Sequence, residues 1–306
     1  MVVTHGSLPP ARGRSAPSSR CALTIGNFDG VHRGHRALLE QVVAKASSIG
    51  VTSCVLTFEP HPREFFSPDA APARLTRLRD KLELIATTGI ERVHIIRFNA
   101  SFAALSAARF VDEVLARGLG TAWLLVGRDF RFGAQRKGDF AALQGHGFEV
   151  EGMPDVSFHG ARVSSSAVRA ALQAADFERA ERLLGRPYTI SGKVVHGAHL
   201  GRELGFPTAN ILLGERPPLS GIYVAEVEGG RPAVASVGYR PTVNPVPQPL
   251  LEVHLLDWDG RLYGQRLHVR FLKKLRDEMK FEDLPTLRQA IAHDAAQARE
   301  YFARHG

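Results

Sequence analysis

The first half of the chain alternates short apolar runs with segments whose apolar residues recur at helical spacing. The apolar runs predict five strands, at residues 22–25, 51–58, 93–98, 123–126 and 148–153. Helical spacing between the runs predicts helices at residues 36–49, 76–87 and 106–117. Alternation of this kind is typical of a doubly wound parallel sheet. We therefore expect an α/β domain whose ligands bind beyond the carboxyl ends of its strands.

Beyond Gly185 the pattern changes to short strands separated by turns rich in glycine and proline. These strands are predicted at residues 188–195, 222–227, 233–237, 251–256 and 267–272. No helical pattern lies between them, which is typical of a small antiparallel β-barrel. A last helix is predicted from about Asp283 to about Ala303, with Pro285 in its first turn. The predicted domains are a flexible lead-in over 1–20, an α/β domain over 21–185, and a barrel with a C-terminal helix over 186–306.

Composition narrows the class of protein only a little. The chain has 306 residues, which suits two domains, and its 44% hydrophobic and 23% charged residues are ordinary for a globular protein. The net charge of +8 suits a polyanionic ligand, either a nucleotide or a nucleic acid. Cys21 and Cys54 are too few for a disulfide framework and predict buried, reduced thiols in a cytoplasmic protein. No apolar run reaches the about 18 residues that a membrane span needs, so no membrane partner is expected.

The first predicted strand leads directly into a loop with the chemistry of a phosphate site. The loop has the sequence GNFDGVHRGH over residues 26–35, and a helix follows it. Glycines let the backbone approach a ligand closely, and a helix N-terminus offers free amide donors. His32 and His35 can face the same oxyanion and stabilise charge that builds during displacement at an α-phosphorus. The alternatives are a glycine-rich turn with surface histidines and a metal-binding pair, although no third metal ligand is evident nearby.

This loop resembles the H-x-G-H signature of nucleotidylyltransferases and, in its long form, the FAD synthetase module of bacterial riboflavin kinase/FAD synthetases. Three further segments are similar to that module: TFEPHP at 57–62, VGRDFRFG at 126–133 and VSSSAVR at 163–169. The resemblance implies that His32 and His35 are catalytic and that Asp129 contacts flavin. The residues that it implies for binding ATP or its phosphates are Gly26, Asn27, Phe28, Asp29, Gly30, Gly34, Ser164, Ser165 and Arg169.

The predicted barrel opens with a second glycine-rich stretch, GKVVHGAHLGRELGFPTAN, over residues 192–210. The amides around Gly197, Gly201 and Gly205 can surround phosphates, and Thr208 and Asn210 offer the neutral oxygens that suit Mg²⁺. The stretch is not a G-x-x-x-x-G-K-[ST] loop, because no Lys-Ser/Thr pair follows the glycines. A glycine repeat alone is equally a sign of turns, but the string GFPTAN resembles the riboflavin kinase module.

Later segments resemble the same module in the same order. They are SVGYRPTV at 236–243 and LEVHLLD at 251–257. The resemblance implies that Glu252 is the base that acts on the ribityl 5′-hydroxyl, and a carboxylate within an apolar strand is costly unless it is used or paired. His254, on the same face, is expected to be structural. The segment 271–281 resembles the family's flavin-side segment, which makes Arg276 a candidate flavin contact.

Together these resemblances cover about residues 21–300 and imply a bifunctional enzyme with a nucleotidylyltransferase-like domain and a kinase barrel. ATP would convert riboflavin to FMN, and a second ATP would convert FMN to FAD and release pyrophosphate, with Mg²⁺ as cofactor. The expected partners are ATP, riboflavin and FMN, with apo-flavoproteins as transient recipients of FAD and no nucleic acid.

Two other functions fit the sequence less well. An adenylyltransferase for another acceptor, pantetheine or a nicotinate nucleotide, would leave GFPTAN and Glu252 without a use. A basic nucleic-acid-binding protein would place aromatic residues between Lys and Arg on the barrel strands, which are mostly aliphatic here.

Overall fold

A computed structural model describes residues 1–6, 20–154, 157–158, 161–197, 201, 204–240 and 248–305. The chain divides into two compact units, one made of Met1–Pro72 and Thr76–Ser164, the other of Ala73–Leu75 and Ser165–Gly306. Residues 165–185, which the predicted domains place with the α/β part, belong to the second unit; the functional boundary after residue 185 stays a prediction. Within the described ranges, no helix combines the length and apolarity that crossing a membrane requires.

The first unit is built on a six-stranded, wholly parallel sheet, which confirms the predicted α/β architecture. Its strands are β1 Val2–Gly6, β2 Cys21–Ile25, β3 Thr52–Glu59, β4 Arg92–Arg97, β5 Thr121–Gly127 and β6 Glu149–Met153. Their order across the sheet is β1-β4-β3-β2-β5-β6. A short antiparallel pair, β7 Ser157–Phe158 and β8 Ala161–Arg162, follows the sheet.

Helices connect these strands and complete two apolar cores. They are α1 Arg33–Ser48, α2 Pro62–Phe66, α3 Leu78–Ala86, α4 Ala100–Ala103 and α5 Ala107–Arg109, and α5 continues as a π-helix over Phe110–Gly118. Because successive residues of a strand point to opposite faces, Ala22 of β2 packs with Leu39 of α1, whereas Leu23 packs with Val114 of the π-helix. Cys21 and Cys54 are both buried and free of disulfides, as predicted.

The predicted flexible lead-in is wrong for its first residues. Val2–Gly6 forms an edge strand of the sheet, with Val3 opposite Val93 of β4. The hydroxyl of Thr4 lies 2.8 Å from Nδ1 of His94, which ties this strand to its neighbour by side chains as well. Residues 7–19 of the lead-in lie outside the described part of the chain.

The second unit is a closed antiparallel barrel preceded by two helices. The helices are α6 Ser165–Gln173 and α7 Phe177–Leu184, and the strands are β9 Thr189–Val195, β10 Ala209–Leu212, β11 Gly221–Val227, β12 Arg231–Arg240, β13 Gln248–Leu255 and β14 Arg266–Arg276. The barrel closes in the order β10-β13-β12-β11-β14-β9, which confirms the predicted architecture. Strand β10 is one more than the pattern predicts.

The C-terminal helix, α8 Leu284–His305, packs on the outside of the barrel. Ala295 and Ala298 of α8 join an apolar cluster with Val224 of β11 and Val234 of β12. Inward-facing residues of a barrel strand alternate with outward-facing ones. The predicted C-terminal helix is therefore confirmed, and it packs on the outer faces of β11 and β12.

Candidate active sites

The loop after β2 has a constrained backbone. Phe28 and Val31 have positive φ angles of 50° and 38°, and both side chains are buried. Residues with a Cβ, and β-branched ones above all, adopt this region only where the surrounding structure enforces it. Such conformations cluster at functional sites. The predicted nucleotide loop is therefore a turn of fixed conformation at the carboxyl edge of the sheet. It contains four of the predicted ATP-binding residues besides Phe28, and a fifth lies at the start of α1: Gly26, Asn27, Asp29, Gly30 and Gly34.

Thr76, just before α3, binds the middle of this loop. Oδ1 of Asp29 accepts hydrogen bonds from the backbone nitrogen and the hydroxyl of Thr76, at 3.0 and 3.2 Å. The same hydroxyl accepts a hydrogen bond from the backbone nitrogen of Gly30 at 3.0 Å. Asp29 is only 4% exposed, so this carboxylate bonds inside the protein. The sequence motifs do not single out Thr76.

A buried lysine supports the start of the same loop. Nζ of Lys81, in α3, donates to the carbonyl oxygen of Asn27 at 3.2 Å and to the hydroxyl of Thr57 at 3.3 Å. Lys81 is 2% exposed, which is rare for lysine. Sequence reasoning missed it, because a lysine in an amphipathic helix is normally expected on the solvent face.

His32 and His35 lie side by side at the N-terminus of α1. Their rings stack with centroids 3.6 Å apart and planes inclined by 14°. Nδ1 of His32 caps the helix by accepting from the backbone nitrogen of His35 at 3.2 Å. Because Nδ1 is an acceptor, the proton of a neutral His32 is on Nε2, which is then a donor. The pair combines a hydrogen-bond donor with the positive end of a helix, an arrangement suited to a phosphate.

The second predicted phosphate segment crosses from one unit to the other along the chain. Ser164 ends the first unit, and α6 begins at Ser165 in the second. Within the second unit, Nε of Arg169 donates to the carbonyl oxygen of Ala73 at 2.6 Å. The phosphate-binding roles of Ser164, Ser165 and Arg169 stay predictions.

Phenylalanines cluster beyond the carboxyl ends of β3 and β4, a feature that the motifs did not reveal. The ring of Phe98 contacts those of Phe58, Phe65, Phe66 and Phe102, with centroids 5.5–5.9 Å apart. Phe66 is 65% exposed. A partly exposed aromatic cluster of this kind can stack with a flat ligand.

Asp129 follows β5 in an exposed turn. Its carboxylate lies 3.4 Å from a terminal nitrogen of Arg162, and the side chain is 79% exposed. Because the ion pair is exposed, it contributes little to stability and leaves the carboxylate accessible to a ligand. The flavin contact predicted for Asp129 stays a prediction.

The barrel brings together residues from separate motifs. Asn210 of β10 and Ser236 of β12 lie opposite Glu252 on its two sides, since β13 runs between these strands. Leu251 and Val253 are completely buried, whereas Glu252 is partly exposed, as expected for a residue on the outer face. The predicted base is therefore a cross-strand neighbour of a predicted metal ligand.

At two glycines an added Cβ would collide with the segment that carries Thr208 and Asn210 unless that segment shifted. A Cβ on Gly197 would lie 2.7 Å from Cγ of Asn210. A Cβ on Gly201 would lie 2.5 Å from the carbonyl oxygen of Phe206 and 3.2 Å from the hydroxyl of Thr208. Gly197 therefore lies directly against Asn210, and Gly201 lies against Thr208, as glycines of a phosphate-binding loop beside a metal site would.

The donor set at Thr208 and Asn210 fits Mg²⁺. Both offer neutral oxygens, and Mg²⁺ prefers few protein oxygens because it keeps several waters and shares substrate phosphates. Nδ2 of Asn210 donates to the carbonyl oxygen of Thr208 at 3.3 Å, which fixes the amide orientation. Gly205, with φ of 88°, makes the turn that leads into this segment. Among the described residues, no group of three or more His, Cys, Asp or Glu side chains forms a metal cage.

His254 has the structural partners expected of it. Its Nδ1 donates to the carbonyl oxygen of Pro207 at 2.9 Å, and its ring meets Phe206 edge-on, with centroids 5.4 Å apart. These contacts hold the segment before Asn210 against β13.

Arg276, a candidate flavin contact, is engaged in an ion pair with α8. Nε and a terminal nitrogen donate to the carboxylate of Asp294 at 3.0 and 2.7 Å, and that carboxylate is 3% exposed. Two residues on, the carboxylate of Glu278 lies against Gly238 of β12, and desolvation raises the pKa of Glu278. The flavin role of Arg276 stays a prediction, and the structure gives its guanidinium a structural partner.

Comparison with known proteins adds the family. The FAD synthetase family model matches residues 14–167, and the riboflavin kinase model matches residues 184–302. A bifunctional riboflavin kinase/FMN adenylyltransferase of Pseudomonas fluorescens is 50% identical, over 98% of this chain and 96% of its own length. Its counterpart in Escherichia coli (strain K12) is 48% identical, over 94% of both chains. A solved structure described as a macrolide-efflux protein from Streptococcus pneumoniae is 27% identical, with a TM-score of 0.77 over 98% of this chain and 99% of the other.

Proposed function

The chain belongs to the family of bifunctional riboflavin kinase/FMN adenylyltransferases, and on that premise we propose which residues carry its two reactions. It phosphorylates riboflavin to FMN with ATP and adenylylates FMN to FAD with release of pyrophosphate. We assign the first reaction to the barrel and the second to the parallel-sheet unit. The observation that carries this assignment is that each family model matches a separate stretch of the chain with its own candidate site.

In the barrel, Glu252 accepts the proton of the ribityl 5′-hydroxyl. The hydroxyl oxygen attacks the γ-phosphorus of ATP at the same time, and ADP leaves. The partly exposed carboxylate on the outer face of β13 supports this role. Thr208 and Asn210 would hold Mg²⁺, which when bound would neutralise charge on the phosphates. The backbone at Gly197 and at Gly201 would approach the phosphates closely, because neither residue has a side chain.

In the parallel-sheet unit, a phosphate oxygen of FMN attacks the α-phosphorus of ATP, and the bond to pyrophosphate breaks. His32 donates from Nε2 and His35 lies against it, so both imidazoles face the charge that builds on the α-phosphate oxygens. The loop and the start of α1 orient the triphosphate for in-line attack.

The flavin ring of FMN would stack against the phenylalanine cluster around Phe98, and Asp129 would bind its polar edge. The partly exposed rings beyond β3 and β4 support the first assignment. We further propose a cytoplasmic location, supported by the free Cys21 and Cys54, with apo-flavoproteins as recipients of the FAD.

Incubation of the purified chain with riboflavin, ATP and Mg²⁺, followed by chromatography of the flavins over time, tests the function. FMN should appear first and FAD after it. If FMN appeared and no FAD followed, FMN would be refuted as the acceptor of the adenylyl group in the first unit. Unchanged riboflavin in a folded, ATP-binding protein would refute the kinase. A parallel reaction with EDTA in place of Mg²⁺ should yield neither product.

A further inference from the structure

We infer that Thr76 and Lys81 are positioning residues for adenylyl transfer, because they hold the loop of residues 27–31 in its strained form. The inference rests on the proposed assignment of that reaction to this loop. Neither residue lies in one of the short motifs on which the resemblance was argued, and both contact the loop from the chain around α3.

The hydroxyl of Thr76 bridges two neighbouring loop residues by hydrogen bonds. It donates to Oδ1 of Asp29 and accepts from the backbone nitrogen of Gly30, so one oxygen fixes a side chain and a peptide plane together. Thr76 is 8% exposed, and the bridge is shielded from water that would compete for these bonds. Only a hydroxyl can act as donor and acceptor at this point.

The ammonium of Lys81 fixes the loop one step earlier. It binds the carbonyl oxygen of Asn27, and the hydroxyl of Thr57 donates to the same oxygen at 3.4 Å. A hydrogen bond from a charged donor is stronger than one between neutral groups. A buried ammonium also adds positive potential below the loop that faces the triphosphate.

These contacts meet a requirement of the backbone. Phe28 and Val31 occupy left-handed conformations, which are strained for residues with a Cβ and persist only where other interactions enforce them. Thr76 and Lys81 bind the residues between and beside those two positions. Without them the loop would relax, and His32, which directly follows Val31, would move from its position at the start of α1.

The decisive comparison is Thr76→Val, which removes the hydroxyl and keeps the shape, against Thr76→Ser, which keeps the hydroxyl. Thr88→Val is the matched control, since Thr88 is also buried and donates to the carbonyl oxygen of Ile85 at 2.7 Å, away from the loop. Two quantities are measured on each intact variant: hydrogen exchange of the peptide that covers residues 26–32, and kcat and KM for FAD synthesis from FMN and ATP.

Thr76→Val should speed exchange of the loop peptide about tenfold or more and lower kcat by about 10–100-fold, with little change in the KM for ATP, because misplacement acts on the transition state. Thr76→Ser should restore both values to within about threefold of the parent, and Thr88→Val should leave them there. Lys81→Met should act in the same direction as Thr76→Val.

Each other outcome has a distinct meaning. Unchanged exchange in Thr76→Val would show that the hydroxyl does not hold the loop. Faster exchange with unchanged kcat would show that the position of the loop does not matter for the reaction. Equal losses in Thr76→Val and Thr76→Ser would point to packing instead of the hydroxyl. A parent chain that makes no FAD would refute the proposed function, whereas the exchange data would still decide whether Thr76 holds the loop.

Discussion

Asn210 of β10 lies directly opposite Glu252 of β13 in the register of the barrel. The two residues come from separate motifs, and their pairing is the arrangement that their proposed roles as metal ligand and base require. A carboxylate that activates a hydroxyl and an amide that helps hold the metal of the phosphates must be close neighbours, since the reacting atoms meet between them.

The close approach of Gly197 to Asn210 yields a selective way to disable the kinase. Gly197→Ala would press a methyl group against the Asn210 amide, and displacement of the amide should lower riboflavin phosphorylation by about tenfold or more. FAD synthesis from FMN by the same polypeptide should stay within about twofold, because it runs in the other unit.

Gly214→Ala is the control for backbone strain without a steric clash. Gly214 has φ of 75°, where alanine is strained, and open space at its Cβ position, so the substitution perturbs the backbone of the barrel unit without pressing on Asn210. Initial rates of FMN formation decide the comparison, and equal losses in both variants would show that a generic loss of backbone freedom is responsible.

The ion pair between Arg276 and Asp294 should stabilise the barrel unit. Asp294→Leu would leave the guanidinium without its carboxylate at a mostly buried position and should cost about 3 kcal/mol of unfolding free energy. The double variant Arg276→Met, Asp294→Leu should recover part of that loss, as measured by urea unfolding in a double-mutant cycle.

The same variants test the predicted flavin contact of Arg276. If Arg276 acts only through Asp294, the KM for riboflavin should change alike in Arg276→Met and Asp294→Leu. A rise in KM confined to Arg276→Met would instead show direct contact with the flavin.

The edge strand β1 should make the first unit sensitive to acid. Burial, with the nearby charges of Arg92 and His5, lowers the pKa of His94, which bonds to Thr4 of β1. Below about pH 6.5 the unfolded chain therefore binds a proton at His94 more readily than the native state does. The free energy of unfolding should decrease as the pH is lowered.

Urea unfolding at pH 7.5 and 5.5 measures this effect. A Trp258→Phe background leaves the buried Trp123 as the only tryptophan and so reports on the first unit alone. The parent should lose more stability on acidification than His94→Gln does. Equal losses would contradict the role of His94.

Most of the architecture is predictable from the sequence because its signals are local. Strands β2 to β5 are apolar runs bounded by helical patterns, and each appears within a few residues of its predicted position. Strand β1 was missed because Val2–Gly6 is short and only partly buried, and its order comes from pairing with β4, which lies far along the chain. Strand β10 was missed because Ala209–Leu212 overlaps the end of the GFPTAN motif, in a glycine-rich stretch that predicts a loop.

The candidate sites divide in the same way. The motifs identify His32, His35 and Glu252 because their chemistry is concentrated in short strings. They cannot reveal Thr76, which is 46 residues from the Gly30 that it binds, or Lys81, 54 residues from Asn27. Such contacts depend on how α3 packs against the sheet, and no local pattern encodes that packing.

We propose that two separate sites of the chain perform the two reactions. His35→Ala and Glu252→Gln test it most directly when each, and then their mixture, is incubated with ATP, Mg²⁺ and riboflavin or FMN while FMN and FAD are followed by chromatography. His35→Ala should make FMN but no FAD, Glu252→Gln should make FAD from FMN but none from riboflavin, and the mixture should convert riboflavin to FAD. Loss of both reactions in either folded variant would contradict it.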